Sequence, residues 1–226
     1  MTHVVHPYSH RLGIIRDWKS RWVAGSKEKY RENLRGDVLL HEYLVKRLRG
    51  MYVASIEMER DQKELRIIIK TSRPGVIIGR SGEGANKLKA DVLKKARQQK
   101  IELPQNLKIE IEEVRMPESN AAIVAAMVAE GLERRLPFRR VVKQTLEKVM
   151  ANRDVKGARI QVAGRLAGAE MSRREMAKRG PVPLQTFRAD IDYAREKAYL
   201  PYGVIGIKVW INRGEVFESG TDKIAG

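Results

Sequence analysis

The residues with the clearest chemistry are two glycines that enclose an arginine and a serine, Gly79-Arg80-Ser81-Gly82. Because glycine has no Cβ, the backbone at these positions can turn tightly and approach a sugar-phosphate chain. Arg80 offers a cation and Ser81 a hydroxyl, and a helix that begins directly after the loop presents N–H groups to an anion. The motif predicts a site for the backbone of unpaired nucleotides, with Lys87 in the next helix as an additional cation. Two glycines at this spacing also suit a plain turn, so the flanking elements must decide.

The helix predicted to begin near Phe138 carries a second group of cations. They fall on an arc of about 100° that is offset from the apolar side of the helix. Only one of them has an acidic residue at i+3 or i+4, so a polyanion would relieve the repulsion among them. The alternative is an ordinary solvated face. The cations are Arg139, Arg140 and Lys143, with Arg134 and Arg135 just before the preceding turn.

No motif typical of an enzyme is present in the sequence. It lacks the Gly-x4-Gly-Lys-Ser/Thr phosphate loop, the His-Glu-x-x-His zinc motif and the Gly-x-Ser-x-Gly nucleophile motif. Asp190 and Asp192 could form a carboxylate pair on one strand face, but solvated positions or pairing with Arg188 and neighbouring cations are favoured. The absence of cysteine excludes disulfides, and three N-terminal histidines without a carboxylate at ligand spacing do not make a metal site. We therefore predict no catalytic residue, no metal and no cofactor.

The composition indicates a polyanionic partner. The 226 residues carry a formal charge of +17 at pH 7, with a pI near 10.2. The net charge is +5 in residues 1–36, +5 in 37–116 and +7 in 117–226, so it is not confined to one tail. Such a distribution suits a protein laid against a large RNA or DNA surface. No apolar run reaches the length of a membrane span and the N-terminus lacks a signal-peptide core, which predicts a cytoplasmic protein without a membrane partner.

Residues 37–116 have the pattern of one small domain built around the glycine loop. Asp37 suits the N-cap of a helix that ends at Gly50. Two alternating segments follow as strands, then the two helices around the loop, then a third strand after Pro104. This order (αββααβ) is similar to that of type II KH domains, in which the loop between the helices clamps RNA.

The two flanking segments differ in character. Residues 1–36 are basic and interrupted by glycines, which predicts an arm whose two tryptophans dock on an apolar surface. Residues 117–226 begin with a helix over 120–132 that is apolar nearly all round, followed by the second helix and four strand-like segments. We predict an α+β chain: an arm, a KH domain, and a two-helix, four-strand α+β domain with both helices on one face.

The chain as a whole resembles one family, the bacterial small-subunit ribosomal protein number three. The resemblance runs in order along nearly the full length, and its last three stretches are long enough to be specific. Thr2-His3 and Ala163 depart slightly from the usual residues of the family. The resembling stretches are His6-Pro7, Arg11-Leu12-Gly13-Ile14, Trp18, Trp22, residues 73–79, Phe138-Arg139-Arg140 with Lys143, and residues 164–170, 188–193 and 202–211.

This resemblance implies a structural RNA-binding protein in the head of the small ribosomal subunit. The implied partners are 16S-type ribosomal RNA, messenger RNA, head proteins ten and fourteen, and proteins four and five at the messenger entrance. The cations near Phe138 would face the incoming messenger and help to position or unwind it. The competing hypothesis is a free-standing KH regulator of messenger RNA, which shares the loop but does not explain the second domain. Docking on ribosomal RNA or on a partner is implied for Arg11, Trp18, Trp22, Arg165, Lys178 and Arg179.

Overall fold

A computed structural model of the chain describes residues 5–61, 63–104 and 106–217. These residues form two compact units. One is Trp18–Pro117, and the other combines the described residues up to Asp17 with those from Glu118 onward. The chain passes from one unit to the other between Pro117 and Glu118, and residues 36 and 37, between which the arm was predicted to end, both lie inside a helix. The segment expected to form one arm is instead divided between the two units.

The first unit contains helix α1, Lys27–Arg47, which begins well before the predicted N-cap at Asp37. Its N-cap is Ser26, whose hydroxyl accepts a hydrogen bond from the Lys29 N–H at 3.3 Å. Residues 27–35 are mostly good helix formers whose few apolar side chains stay exposed, so they carry no apolar periodicity for a sequence pattern to detect.

Asp37, which was predicted to be an N-cap, and its neighbour Gly36 both serve packing inside the helix. Asp37 is buried inside α1, where its Oδ1 lies 2.5 Å from Nη2 of Arg60. Gly36 also lies inside the helix, and a Cβ there would come within 2.7 Å of Cγ2 of Ile101. The glycine is therefore a point of close approach and not a break in the helix.

A four-stranded sheet lies beside the helices of the first unit. Its order is β1-β2-β3-β4, with β2 and β3 antiparallel and the two outer pairs parallel. The predicted alternation is confirmed, since Ile56, Met58, Leu65, Ile67 and Ile69 are all buried. The two-residue strand β1 was not predicted. The strands are β1 Ser20–Arg21, β2 Val53–Arg60, β3 Glu64–Thr71 and β4 Asn106–Glu113.

The two remaining helices of the first unit, α2 (Pro74–Ile78) and α3 (Glu83–Gln98), are separated by the glycine loop. Leu88, Val92 and Ala96 of α3 are buried in the same apolar cluster as the inward side chains of β2 and β3. The predicted order of helix, strand, strand, helix, loop, helix and strand is therefore confirmed.

The second unit is the predicted two-helix, four-strand α+β domain. Its antiparallel sheet has the order β6-β5-β8-β7, and both helices pack on one face. Within the described ranges, no helix of either unit is long and apolar enough to cross a membrane. The helices are α4 Ala121–Glu133 and α5 Phe138–Ala151, and the strands are β5 Gly157–Gly164, β6 Arg173–Arg179, β7 Ala189–Leu200 and β8 Gly203–Glu215.

The N-terminal residues of the second unit are anchored by an arginine that is fully buried. Its guanidinium donates to five backbone carbonyl oxygens: Nε to Ala189 at 2.6 Å, Nη1 to Pro7 at 2.9 Å, and Nη2 to Thr186 at 2.8 Å, Leu184 at 3.1 Å and Pro183 at 3.4 Å. This residue is Arg11, which has 0% exposed surface. The prediction that Arg11 docks on RNA or a partner is therefore wrong, because its charge is used inside the unit.

A tyrosine and an aspartate join the same N-terminal residues to the start of α4. The Tyr8 hydroxyl donates to the carboxylate of Asp192 on β7. The other oxygen of Asp192 accepts from the N–H of Ala121, the first residue of α4, at 2.8 Å. Burial, and then the charge of Asp192, raises the pKa of Tyr8, so the phenol keeps the proton that it donates.

Candidate nucleic-acid interface

The glycine loop has the backbone conformation that its residue types predicted. Gly79 has a φ of 71° and Gly82 a φ of 80°, in the region that glycine adopts most readily. Ser81 between them has a φ of 50°, which is uncommon for a residue with a side chain. The loop is thereby bent into a short turn between α2 and α3, and Arg80 and Ser81 are both exposed.

The start of α3 leaves backbone donors available beside this turn. Gly82 is the N-cap of α3 and supplies no side-chain hydrogen bond to the first-turn N–H groups. Uncapped N–H groups at a helix N-terminus attract anions, although Glu83 places one acidic residue in the same turn. Lys87, one turn further along, is exposed as predicted.

A third glycine, whose importance the sequence did not reveal, brings α2 and α3 together. A Cβ on Gly84 would lie 2.4 Å from the carbonyl oxygen of Ile77 and 2.8 Å from that of Ile78. Any side chain at this position would therefore push the two helices apart and open the turn. Two apolar side chains of α2 remain exposed beside the loop, Val76 at 60% and Ile78 at 37%.

The predicted cations of α5 lie on its exposed side, as expected. Val142, Leu146 and Val149 face the core, whereas Arg139, Arg140 and Lys143 are exposed. Nη2 of Arg139 lies 3.3 Å from Oε1 of Glu175 on β6, a solvent-exposed pair of modest strength. Among the residues that the structure describes, neither Arg140 nor Lys143 has an ion-pair partner.

The two arginines before the α4–α5 turn differ from each other. Arg134 forms an i, i+4 ion pair with Glu130. Arg135 is exposed and has a φ of 59°, a conformation in which glycine is the usual residue at the end of a helix. It lines a groove of about 540 Å³ together with Arg139, Arg173 and the aromatic residues Phe138 and Tyr202. Three arginines and two aromatic rings thus surround one concave surface next to the α5 cations.

The remaining predicted docking residues are on the surface, with different surroundings. Trp18 is 60% exposed, while Trp22 is half-buried with its ring 5.2 Å from that of Tyr30. Arg165 is exposed but donates to the carbonyl oxygens of Ala169 and Tyr202, so it partly holds its own loop. Lys178 and Arg179 on the edge strand β6 are exposed. Docking through these residues stays a prediction.

The two strand aspartates are partners of cations, which is the interpretation that the sequence favoured. Oδ1 of Asp190 lies 2.6 Å from Nη2 of Arg16, and Oδ2 of Asp192 lies 3.1 Å from Nη2 of Arg213. Arg188 itself pairs with Glu215 instead. Within the described part of the chain, no cluster of three or more His, Cys, Asp or Glu side chains is arranged to hold a metal ion.

A KH-type unit with an exposed Gly-x-x-Gly turn, in one chain with a basic α+β unit, defines an RNA-binding protein of the KH class. Comparison with known families agrees: "KH domain" matches residues 39–119, and "Ribosomal protein S3, C-terminal domain" matches residues 128–211. The chain belongs to the uS3 family of small ribosomal subunit proteins.

Relatives that match this chain over most of their own length support the assignment to the uS3 family. The small ribosomal subunit protein uS3 of Nitrosococcus oceani is 43% identical over 221 residues, which cover 98% of this chain and 95% of that protein. The uS3 of Photobacterium profundum is 44% identical, covering 94% of this chain and 89% of the relative, and that of Alcanivorax borkumensis is 46% identical with 94% and 88% covered. The family consists of structural proteins and not enzymes. The hypothesis of a free-standing KH regulator leaves the second matched domain unexplained.

Proposed function

We propose that this chain lies in the head of the small ribosomal subunit, where it binds the ribosomal RNA and contacts messenger RNA at its entrance to the subunit. Its family makes it a structural protein of that subunit with an RNA-binding KH domain. The head location, the messenger contact, the cytoplasmic location and the neighbours, proteins ten and fourteen of the head and four and five at the entrance, belong to the proposal.

The observation that carries the messenger contact is the row of exposed cations on α5. Arg140 and Lys143 have no ion-pair partner among the described residues, and the pair of Arg139 with Glu175 is weak and exposed. Cations in this arrangement contact phosphates and not base edges, so the contact is independent of sequence. A strand that moves past the protein during translation needs a contact of that kind.

The glycine loop supports the ribosomal RNA contact. Its bend, its exposed Arg80 and the uncapped start of α3 together offer a cation, a hydroxyl and backbone N–H groups to a phosphate. The bound segment would be single-stranded, because KH loops clamp the backbone of unpaired nucleotides.

Replacing Arg139, Arg140 and Lys143 with alanine tests the messenger contact. All three are exposed and away from the core side of α5, so the fold and subunit assembly should be retained. Translation through a stable hairpin at the messenger entrance should slow several-fold, while an unstructured messenger should be translated at nearly the normal rate. The measurement is the ratio of the translation rates of the two messengers, taken once with subunits that carry the unchanged protein and once with subunits that carry the variant.

A control variant removes two charges, one on α5 and one just after its C-terminus, without touching the row. Lys148→Ala with Arg153→Ala alters two exposed cations beyond the far end of the row, and should leave the rate ratio unchanged. Because this control removes two charges, it is compared with the row variant that also removes two, Arg140→Ala with Lys143→Ala. Equal slowing on both messengers would indicate a general translation defect, and an unchanged ratio in the row variant would show a solvated face.

A further inference from the structure

Helices α4 and α5 pack on one face of the sheet of the second unit, and no α-helix of the described residues packs on the other. On β5, the core side chains Ala158, Ile160 and Val162 face α4 and α5, so Arg159, Gln161 and Ala163 face the opposite way. The cross-strand register extends this alternation to the other three strands. We call the side opposite the helices the outer face.

The described residues of the outer face include six cations, distributed over all four strands. One end of the face is covered by a small cluster in which Ile191 and Trp210 pack with Val182 and Leu184. On the rest of the face, none of the described positions between the cations is an aspartate or a glutamate. The cations are Arg159 on β5, Arg174 and Lys178 on β6, Arg195 and Lys197 on β7, and Lys208 on β8.

Two pairs of these cations lie directly opposite each other. Arg159 is the register partner of Lys178, and Arg195 is the register partner of Lys208. Like charges at directly opposite positions of an antiparallel sheet destabilise it. The sheet holds two such pairs side by side, although an acidic residue at either position would form a favourable cross-strand ion pair.

For five of the six cations, all but Lys197, no neighbouring residue in the described ranges neutralises the charge. Within the described ranges, Arg174, Lys178, Arg195 and Lys208 make no ion pair. Arg159 lies over the ring of Trp210, with its Cζ 4.7 Å from the ring centroid, and donates to Gln161 Oε1 at 3.4 Å. The contact with Trp210 fixes the guanidinium plane on the face but leaves its charge intact.

We propose that the outer face binds the phosphate backbone of a double-helical segment of RNA. Strands about 4.8 Å apart, with alternate residues about 7 Å apart along each, spread the cations in two dimensions, as contact with phosphates on two strands requires. Trp210, the aromatic side chain beneath Arg159, is 6% exposed and is covered by that guanidinium, so bases do not stack on it; the exposed Tyr199 lies at the other end of β7, away from the opposed cation pairs. The site therefore recognises backbone charge, and it does not depend on the messenger contact proposed for α5.

Reversing one charge in each opposed pair gives a test with two readouts of opposite sign. In the full chain, Lys178→Glu with Lys208→Glu should create ion pairs with Arg159 and Arg195 and raise the unfolding midpoint of the second unit by a few degrees at low salt. The same variant should bind a hairpin RNA about tenfold or more weakly. The slope of log affinity against log salt should fall by about two, because each duplex phosphate contact contributes about 0.9. A variant that merely disturbs the fold would lower both stability and binding.

The control is Lys148→Glu with Arg153→Glu, which changes the net charge equally at two exposed positions outside the sheet. If this control lowers the salt slope as much as the outer-face variant, the effect is general and the proposal fails. A stabilised outer-face variant with unchanged RNA affinity also overturns it, and a simultaneous loss of subunit assembly would then identify an acidic protein as the occupant. The outer-face variant should leave the rate ratio for hairpin and unstructured messengers normal, so failure of the α5 proposal would be seen separately.

Discussion

Arg11 shows how one basic side chain can hold a segment of chain in place. Its guanidinium donates to five carbonyl oxygens from the 3-10 turn at Pro7, the loop before β7 and the start of β7 itself. A planar group with donors in a fixed fork matches this ring of acceptors, whereas a lysine ammonium has three donors on a single atom. The residue is therefore structural, despite its place in a basic segment.

We expect Arg11→Lys to lower the free energy of unfolding of the second unit by roughly 2–4 kcal/mol, because several buried carbonyl oxygens lose their donors. The effect is measured by unfolding the full chain with denaturant while a signal from the second unit is followed. The matched control is Arg165→Lys, where an exposed guanidinium donates to two carbonyl oxygens that water can reach, and a loss below about 1 kcal/mol is expected. Equal losses would show that the burial of Arg11 contributes nothing.

The roles of single residues were hardest to predict where a polar side chain is buried. Asp37 has the residue type of an N-cap and Arg11 that of an RNA contact, and nothing in the local sequence marks either as enclosed. Their partners, Arg60 and the carbonyl oxygens near β7, are distant in sequence. Only the tertiary fold brings these groups together, so no local pattern can reveal the pairing.

At the scale of elements, periodic patterns were reliable and non-periodic ones were not. The long strands and the helices α3 and α5 were predicted because each buries one face and so repeats its apolar residues, whereas α4 was predicted because it is apolar nearly all round. The first part of α1 has no buried stripe, since Tyr30 and Leu34 are exposed, and strand β1 is only two residues long. Neither leaves a periodic trace in the sequence.

The glycine loop is an element whose charge can be changed without changing its shape. Asp tolerates a positive φ, so Arg80→Asp with Ser81→Asp should preserve the turn while adding repulsion to a phosphate. We expect a folded protein with at least tenfold weaker affinity for single-stranded RNA and a shallower salt dependence. Titrations at several salt concentrations measure both quantities.

The control for the loop variant is Ala90→Asp with Lys94→Asp, which makes the same charge change on exposed positions of α3. It should weaken binding much less, because these positions lie two or more turns beyond the loop. If the two variants bind RNA equally, or if the loop variant retains normal affinity and slope, the loop does not hold RNA in this protein.

At the scale of the whole molecule, the second unit is discontinuous in sequence. Residues that contain Tyr8 and Arg11 precede the KH unit along the chain but pack with β7 and α4. A sequence reading assigns consecutive residues to one domain, so it placed these residues in an arm. The correct assignment needs contacts across more than a hundred and seventy positions, namely the hydrogen bonds from Tyr8 to Asp192 and from Arg11 to the Ala189 carbonyl oxygen.

Deleting the residues before Trp18 should therefore destabilise the second unit, to which they belong, and leave the stability of the KH unit, which follows them in sequence, unchanged. We expect amide protons of β7 and β8 to exchange about tenfold or more faster in the shortened chain, since Asp192 and the start of β7 lose their N-terminal partners. Amide protons of β2 and β3 should exchange at their normal rates. Hydrogen exchange read by mass spectrometry gives both in one experiment, and faster exchange confined to β2 and β3 would contradict the assignment.

The burial of Arg11 also imposes an order on the synthesis of the protein. A chain made from its N-terminus exposes Tyr8 and Arg11 long before Ala189 and Asp192 exist, and the whole KH unit is completed in between. The KH unit can fold as soon as it emerges. The segment that contains Tyr8 and Arg11 cannot form its hydrogen bonds until β7 has been made. The N-terminal and C-terminal parts of the second unit can therefore pack together only after the KH unit between them has been made.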